Sequence, residues 1–170
     1  MTKKTGKSIP KQKIKEEQNY FSVRTNKKEA KIIGLVSGEI EENINALMMN
    51  PYVALKYFQS DWQCFSEWNQ QELKEFSSFL NDLKKRTWQQ VYKTGSNIPK
   101  HGLGYTKYHI SDIKSDGIKE KLKAVASELS EDIDFFELRV NQNKLRVHGF
   151  QSQSIFFLVL LDRNHEAFPM

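Results

Sequence analysis

One cysteine, Cys64, in 170 residues excludes an intrachain disulfide and any cysteine-rich metal site. It also fits a reducing, cytoplasmic setting. No apolar run approaches the ~20 residues of a membrane-spanning helix; the longest, Ile155 to Leu161, is strand-sized. The lysine-rich start lacks the apolar segment that follows the charged part of a secretory leader. Hydrophobic residues reach only 38%, below the usual globular share, so part of the chain is expected to be solvated.

The net charge of +5 divides unevenly. Residues 1–31 carry ten Lys and Arg against three Glu, whereas residues 32–170 carry sixteen basic against eighteen acidic side chains. All the excess positive charge therefore belongs to the first segment. Residues 1–19 are expected to form a mobile basic arm and residues 20–170 a single α+β domain. Such an arm can sample nucleic acid or acidic surfaces while the domain stays near neutrality. The plainer alternative is a solvated leader that only aids solubility.

Beyond the arm, "YFSVRT" reads as a short strand or docking segment, "AKIIGLVSG" as a buried strand and "EIEENINALMMN" as a helix stopped by Asn50-Pro51. "PYVALKYFQ" has the aromatic and β-branched content of a strand. "NQQELKEFSSFLNDLKKR" is a clearer helix, with Leu73, Phe76, Phe79, Leu80 and Leu83 at three- and four-residue steps and Lys84, Lys85 and Arg86 at its end. Thr87 with Gln90 has capping-box spacing for a further short helix carrying Trp88 and Val91 inward. "TGSNIPKHGLG" reads as a loop. "SDGIKEKLKAVASELS" reads as a helix with a stripe of Ile118, Leu122, Val125 and Leu129. Tyr57, Phe58, Trp62, Phe65, Trp68 and Trp88 make an aromatic-rich middle whose expected place is the core. Helices followed by three closing strands predict an α+β fold, an antiparallel sheet with a C-terminal three-strand meander packed against helices.

The last strands predict a register. A two-residue turn at Asn141-Gln142 sets Glu137 opposite Arg146 and Arg139 opposite Lys144. A turn at Ser152-Gln153 sets His148 beside Phe157 and Arg146 beside Val159. Phe136, Leu138, Val140, Leu145, Val147, Phe156, Leu158 and Leu160 then share an apolar face. The other face carries Glu137, Arg139, Arg146 and His148 with Phe157, Val159 and Leu161, joined by Arg163 and His165 if the strand stays in phase.

An acid, a base and fixed cations on one face are the parts of metal-independent RNA cleavage. A base takes the ribose 2′-OH proton, the oxygen attacks phosphorus, and an acid protonates the leaving 5′-oxygen. Histidine suits both transfers, and arginine forks around phosphate oxygens. The candidate proton-transfer residues are His165 with Glu137 or His148, and His109 more remotely. The candidate phosphate-binding residues are Arg139, Arg146, Arg163 and Lys144. Each also has a plain reading as an ion pair, turn cap or solvent-facing spacer. No histidine has metal-ligand spacing with a third ligand nearby, so neither a metal nor a cofactor is expected.

Glu137-Leu138-Arg139, the central Arg146 and the apolar "IFFLVLL", behind a helix, resemble the C-terminal meander of RelE-type toxins, small bacterial ribonucleases of toxin–antitoxin pairs. The resemblance covers about the last quarter of the chain and the preceding helix. It implies a four- or five-stranded sheet with helices on one side, cleavage of mRNA, often ribosome-bound, and a cognate antitoxin. Asp162-Arg163-Asn164-His165 stands where those toxins commonly close with a Lys/Arg pair. Two further readings remain open: a non-catalytic nucleic-acid or ribosome binder, and a protein-interaction module such as an inhibitor or accessory of a defence complex.

Overall fold

In a computed structural model the described residues are 46–95, 103–130 and 132–169, all within a compact unit that runs from Ile44 to Met170. The basic arm, "YFSVRT", "AKIIGLVSG", most of "EIEENINALMMN" and His101 lie outside them. The described fold is α+β. Helices α1 (Gln70–Leu83), α2 (Trp88–Tyr92) and α3 (Asp116–Leu129) accompany five strands: β1 (Tyr52–Ala54), β2 (Thr106–Lys107), β3 (Phe135–Arg139), β4 (Arg146–Ser152) and β5 (Ile155–Asp162). Their order in the sheet is β1-β5-β4-β3-β2. β3, β4 and β5 form the expected antiparallel meander, β2 adds antiparallel to β3, and β1 lies parallel to β5.

Local chemistry explains the helices. Asn69 accepts from the Glu72 N–H at 2.9 Å while the Glu72 carboxylate accepts from the Asn69 N–H at 2.8 Å, so two donors at the start of α1 are satisfied reciprocally. α1 ends at Leu83, ahead of its basic residues, and Asn50 Nδ2 donates to the carbonyls of Lys84 and Arg86 just past that end. Thr87 and Gln90 form the predicted box, turning Trp88 and Val91 fully inward. "PYVALKYFQ", expected as a longer strand, contributes only Tyr52–Ala54 before the chain turns.

Two layers of core follow. Phe79, Leu83, Trp88 and Val91 from α1 and α2 pack with Phe136, Leu138, Val147, Phe156, Leu158 and Leu161 of the sheet. The aromatic middle joins this layer through Trp68, with Phe58 and Phe65 packed against it. Leu73, expected on the apolar stripe, is instead exposed. Phe135, Phe150 and Phe157 project from the other parity; Phe150 stacks on Phe157, meets Phe135 edge-on, and Tyr57 packs at a tilt on Phe150 and Phe157. The stripe of α3, Ile118, Leu122, Val125 and Leu129, is also buried yet stands outside the first cluster. α3 is tied to the segment after β1 by Lys121 with Asp61 and by Trp62 lying close over Gly117.

Candidate functional site

The strand pairs differ in register from the sequence expectation, and the difference builds the site. Glu137 pairs with His148, and Arg139 with Arg146. The β3–β4 connection is therefore longer than a two-residue turn, because the Asn141 side chain accepts from the N–H groups of Asn143 and Leu145 and makes its own local turn. A shift of two residues keeps every side chain on its expected face. The β4–β5 turn lies at Gln153-Ser154, with Ser152 opposite Ile155.

A bulge then changes parity within β5. Gly149 pairs with Leu158 but His148 pairs with Leu160, leaving Val159 as the extra residue. Beyond it Leu161, expected on the polar face, joins the helix-side core, and Leu160 and Asp162 cross to the face of His148 and Arg146. Bulges re-aim side chains in this way. Without it, the Asp162 carboxylate would point into the layer filled by Leu138 and Val147.

His148, Asp162 and Tyr108 form one hydrogen-bonded line. The Tyr108 hydroxyl lies 2.8 Å from His148 Nδ1, and His148 Nε2 lies 3.3 Å from Asp162 Oδ2. A carboxylate accepts only, so Nε2 carries a hydrogen; Nδ1 accepts from the phenol in the neutral ring and donates to its oxygen in the protonated one. His148 and Asp162 are both 0% exposed. Asp162 Oδ1 also accepts from the Glu166 N–H at 2.7 Å, and Oδ2 from the Ala167 N–H at 2.9 Å. Burial acts to raise the Asp162 pKa, but the hydrogen bond and charge of His148 and the two backbone donors outweigh it and hold the carboxyl below its ordinary value. The Tyr108 hydroxyl is pushed well above its ordinary value by burial first, then by the Glu137 and Asp162 charges.

Beside this line sit Glu137, Arg146, Arg139 and His165. Glu137 and Arg146 are each 6% exposed. His165 occupies a left-handed backbone conformation, φ 57°, uncommon for a residue with a β-carbon. Its Nε2 lies 3.3 Å from Glu137 Oε2. Those buried atoms, with His165 Nδ1, have no hydrogen-bond partner among the described residues, so the contact is a close approach rather than a formed bond. Arg146 Nη1 donates to the carbonyls of Leu145 at 3.0 Å and Asn141 at 3.3 Å. Burial lowers the Arg146 pKa, Glu137 and Asp162 act against that, and Arg139 adds to it. The half-buried Arg139 crosses Gly104, where φ is +55° and an added β-carbon would meet the guanidinium Nε at 3.0 Å.

The structure thus gathers Glu137, Arg139, Arg146, His148 and His165, and places the remaining candidates elsewhere. Arg163 leaves the strand phase and forms a fork–fork pair with Glu72 of α1, at 2.6 and 2.8 Å. Lys144 is exposed on the β3–β4 connection, and His109 is exposed ahead of a short 3-10 turn. His148 is fully buried, and Glu137 Oε2 and both ring nitrogens of His165 are buried beside it. The half-apolar open face expected from the sequence is largely covered. A polar depression of about 370 Å³ lies instead between α1 and the β3–β4 connection, lined in part by Lys74, Glu75, Asn141 and Gln142.

Sequence reasoning missed Tyr108 and Asp162. Tyr108 follows a two-residue edge strand too short for an alternation signal, and Asp162 reaches the site through a bulge that leaves no mark in the apolar run. No described group of three His, Cys, Asp or Glu could hold a metal, and no described helix is long and apolar enough to cross a membrane. No family model, curated protein or solved structure matches the chain.

Proposed function

We propose that this protein cleaves RNA without a metal ion, with His165 and Glu137 as the proton-transfer pair. One observation carries the reading: a histidine in a left-handed conformation, its ring nitrogens free of hydrogen bonds among the described residues, held 3.3 Å from a buried carboxylate. Strain of this kind collects at functional positions. With RNA admitted to these buried atoms, Glu137 takes the 2′-OH proton, the 2′-oxygen displaces the 5′-oxygen at phosphorus, and protonated His165 supplies the leaving oxygen with its proton. The products are a 2′,3′-cyclic phosphate and a 5′-hydroxyl. Arg139, half-buried, is the group able to reach phosphate; Arg146 contributes through its field from inside. The test is incubation of the full chain with an RNA oligonucleotide, identifying the new ends. His165→Gln and Glu137→Gln are each expected to abolish cleavage, and retained cleavage in either would remove that residue from the pair.

A second reading, a protein-interaction module, draws on the exposed apolar residues Leu47, Met48, Tyr52 and Leu55. Tyr52 lies on β1, an edge strand that pairs among the described residues with β5 alone, with Leu47 and Met48 in the 3-10 turn before it and Leu55 just after it. Under it the charged cluster is internal support only: RNA stays intact, and cluster variants change stability without changing any activity.

A further inference from the structure

We infer that Asp162, braced by His148 and Tyr108, is the positioning residue that sets His165 against Glu137; this rests on the reading above. The argument starts with the turn after β5. Residues 163–167 leave the sheet with only three residues between Asp162 and Glu166, and His165 sits among them at φ 57°. Asp162 accepts from both Glu166 and Ala167 N–H groups, so one carboxylate closes the turn from its far side. Its own direction is fixed by His148 Nε2, whose opposite nitrogen is in turn held by Tyr108.

The turn is anchored on both flanks. The Lys114 N–H donates to the Ala167 carbonyl at 2.9 Å, and the Arg163 N–H donates to Gln63 Oε1 at 3.0 Å. Neither bond dictates the backbone at His165. The Asp162 bonds do, because they draw the two amides just beyond His165 back over the strand end. The left-handed conformation survives where surrounding bonds over-determine it, and the Asp162 carboxylate supplies those bonds.

Three variants test this in the full chain. Asp162→Asn keeps the shape but loses the charge and one acceptor oxygen. His148→Gln can still donate an N–H toward Asp162, whereas His148→Ala cannot. Hydrogen exchange at Glu166 and Ala167 is expected to accelerate at least ~10-fold in Asp162→Asn and His148→Ala, and to be largely restored in His148→Gln. With RNA, kcat is expected to fall ~10–100-fold at nearly constant KM, as for a proton-transfer group displaced by a fraction of an ångström. A folded Asp162→Asn protein with both amides as protected as in the wild type, or with kcat unchanged, overturns the inference. Should Asp162→Asn fail to fold, the wild type decides: through-hydrogen-bond couplings from the Glu166 and Ala167 amides to the Asp162 carboxylate must be present, and their absence overturns it. If the wild type cleaves no RNA, the proposed function falls, while the exchange and coupling results still decide whether Asp162 sets the His165 turn.

Discussion

Replacing Glu137 with glutamine should expose how the buried charges balance. With the imidazoles neutral, the sheet face holds two cations, Arg139 and Arg146, and two anions, Glu137 and Asp162, in adjacent register. Arg139 stands directly opposite Arg146, and like charges facing across strands repel. A side-chain amide matches the carboxylate in shape, and Glu137 Oε2 takes no hydrogen bond among the described residues, so most of the loss is the charge itself. Stripping one partner from a buried pair costs about 3–5 kcal/mol when nothing else compensates. Here Asp162 remains and Arg146 keeps two carbonyl acceptors, which brings the expected loss to about 1.5–3 kcal/mol. Urea unfolding at neutral pH measures it as a lower midpoint at unchanged slope. If repulsion is the cause, adding Arg139→Gln to Glu137→Gln should recover ~1 kcal/mol, half-buried Arg139 being partly screened. A loss below ~0.5 kcal/mol, or a double variant no more stable than the sum of the singles predicts, would refute the reasoning.

Four further outcomes follow from the same geometry. Because the Asp162 carboxyl is held below its ordinary value of 3.8, its contribution is fully present above that value and lost as pH falls through the depressed folded value. Urea midpoints measured between pH 7 and pH 2 should therefore drop less steeply in Asp162→Asn than in the wild type, and equal acid dependence would contradict the assignment. Gly104→Ala should destabilise by about 1–2 kcal/mol, since the left-handed backbone and the Arg139 guanidinium both resist a β-carbon; thermal melting shows whether it does. Glu72→Gln loses the charge that faces Arg163 and weakens the α1 box, for about 0.5–1.5 kcal/mol with both side chains partly solvated. Lys144→Ala serves as the contrast and should leave both melting and RNA cleavage unchanged.

The residues explain how much of this was legible beforehand. Capping at Thr87 and the stripes of α1 and α3 depend on neighbours within a few positions, so spacing alone reveals them. The meander was equally readable, because strict alternation in β3 and β4 separates an apolar from a charged face and a two-residue slip leaves that separation intact. Thus the grouping of Glu137, Arg139, Arg146 and His148 was determined locally. The extent of β1, read as part of a longer strand, and the existence of β2 were not, since each is set by pairing with a strand far away in the chain.

Sequence by itself determined the α+β composition, the boundaries of α1, α2 and α3 to within a turn, the meander, and the face shared by the charged residues of β3 and β4. Tertiary structure alone decided the Val159 bulge, the crossing of Asp162 to that face, the capture of Arg163 by Glu72, and the burial of His148 beneath the closing turn. The physical reason is the range of the forces. Helix periodicity, capping and strand alternation are written within a few residues, whereas a bulge, a fork–fork ion pair and the closing of a face are settled by which distant groups compete for the same space and the same hydrogen bonds.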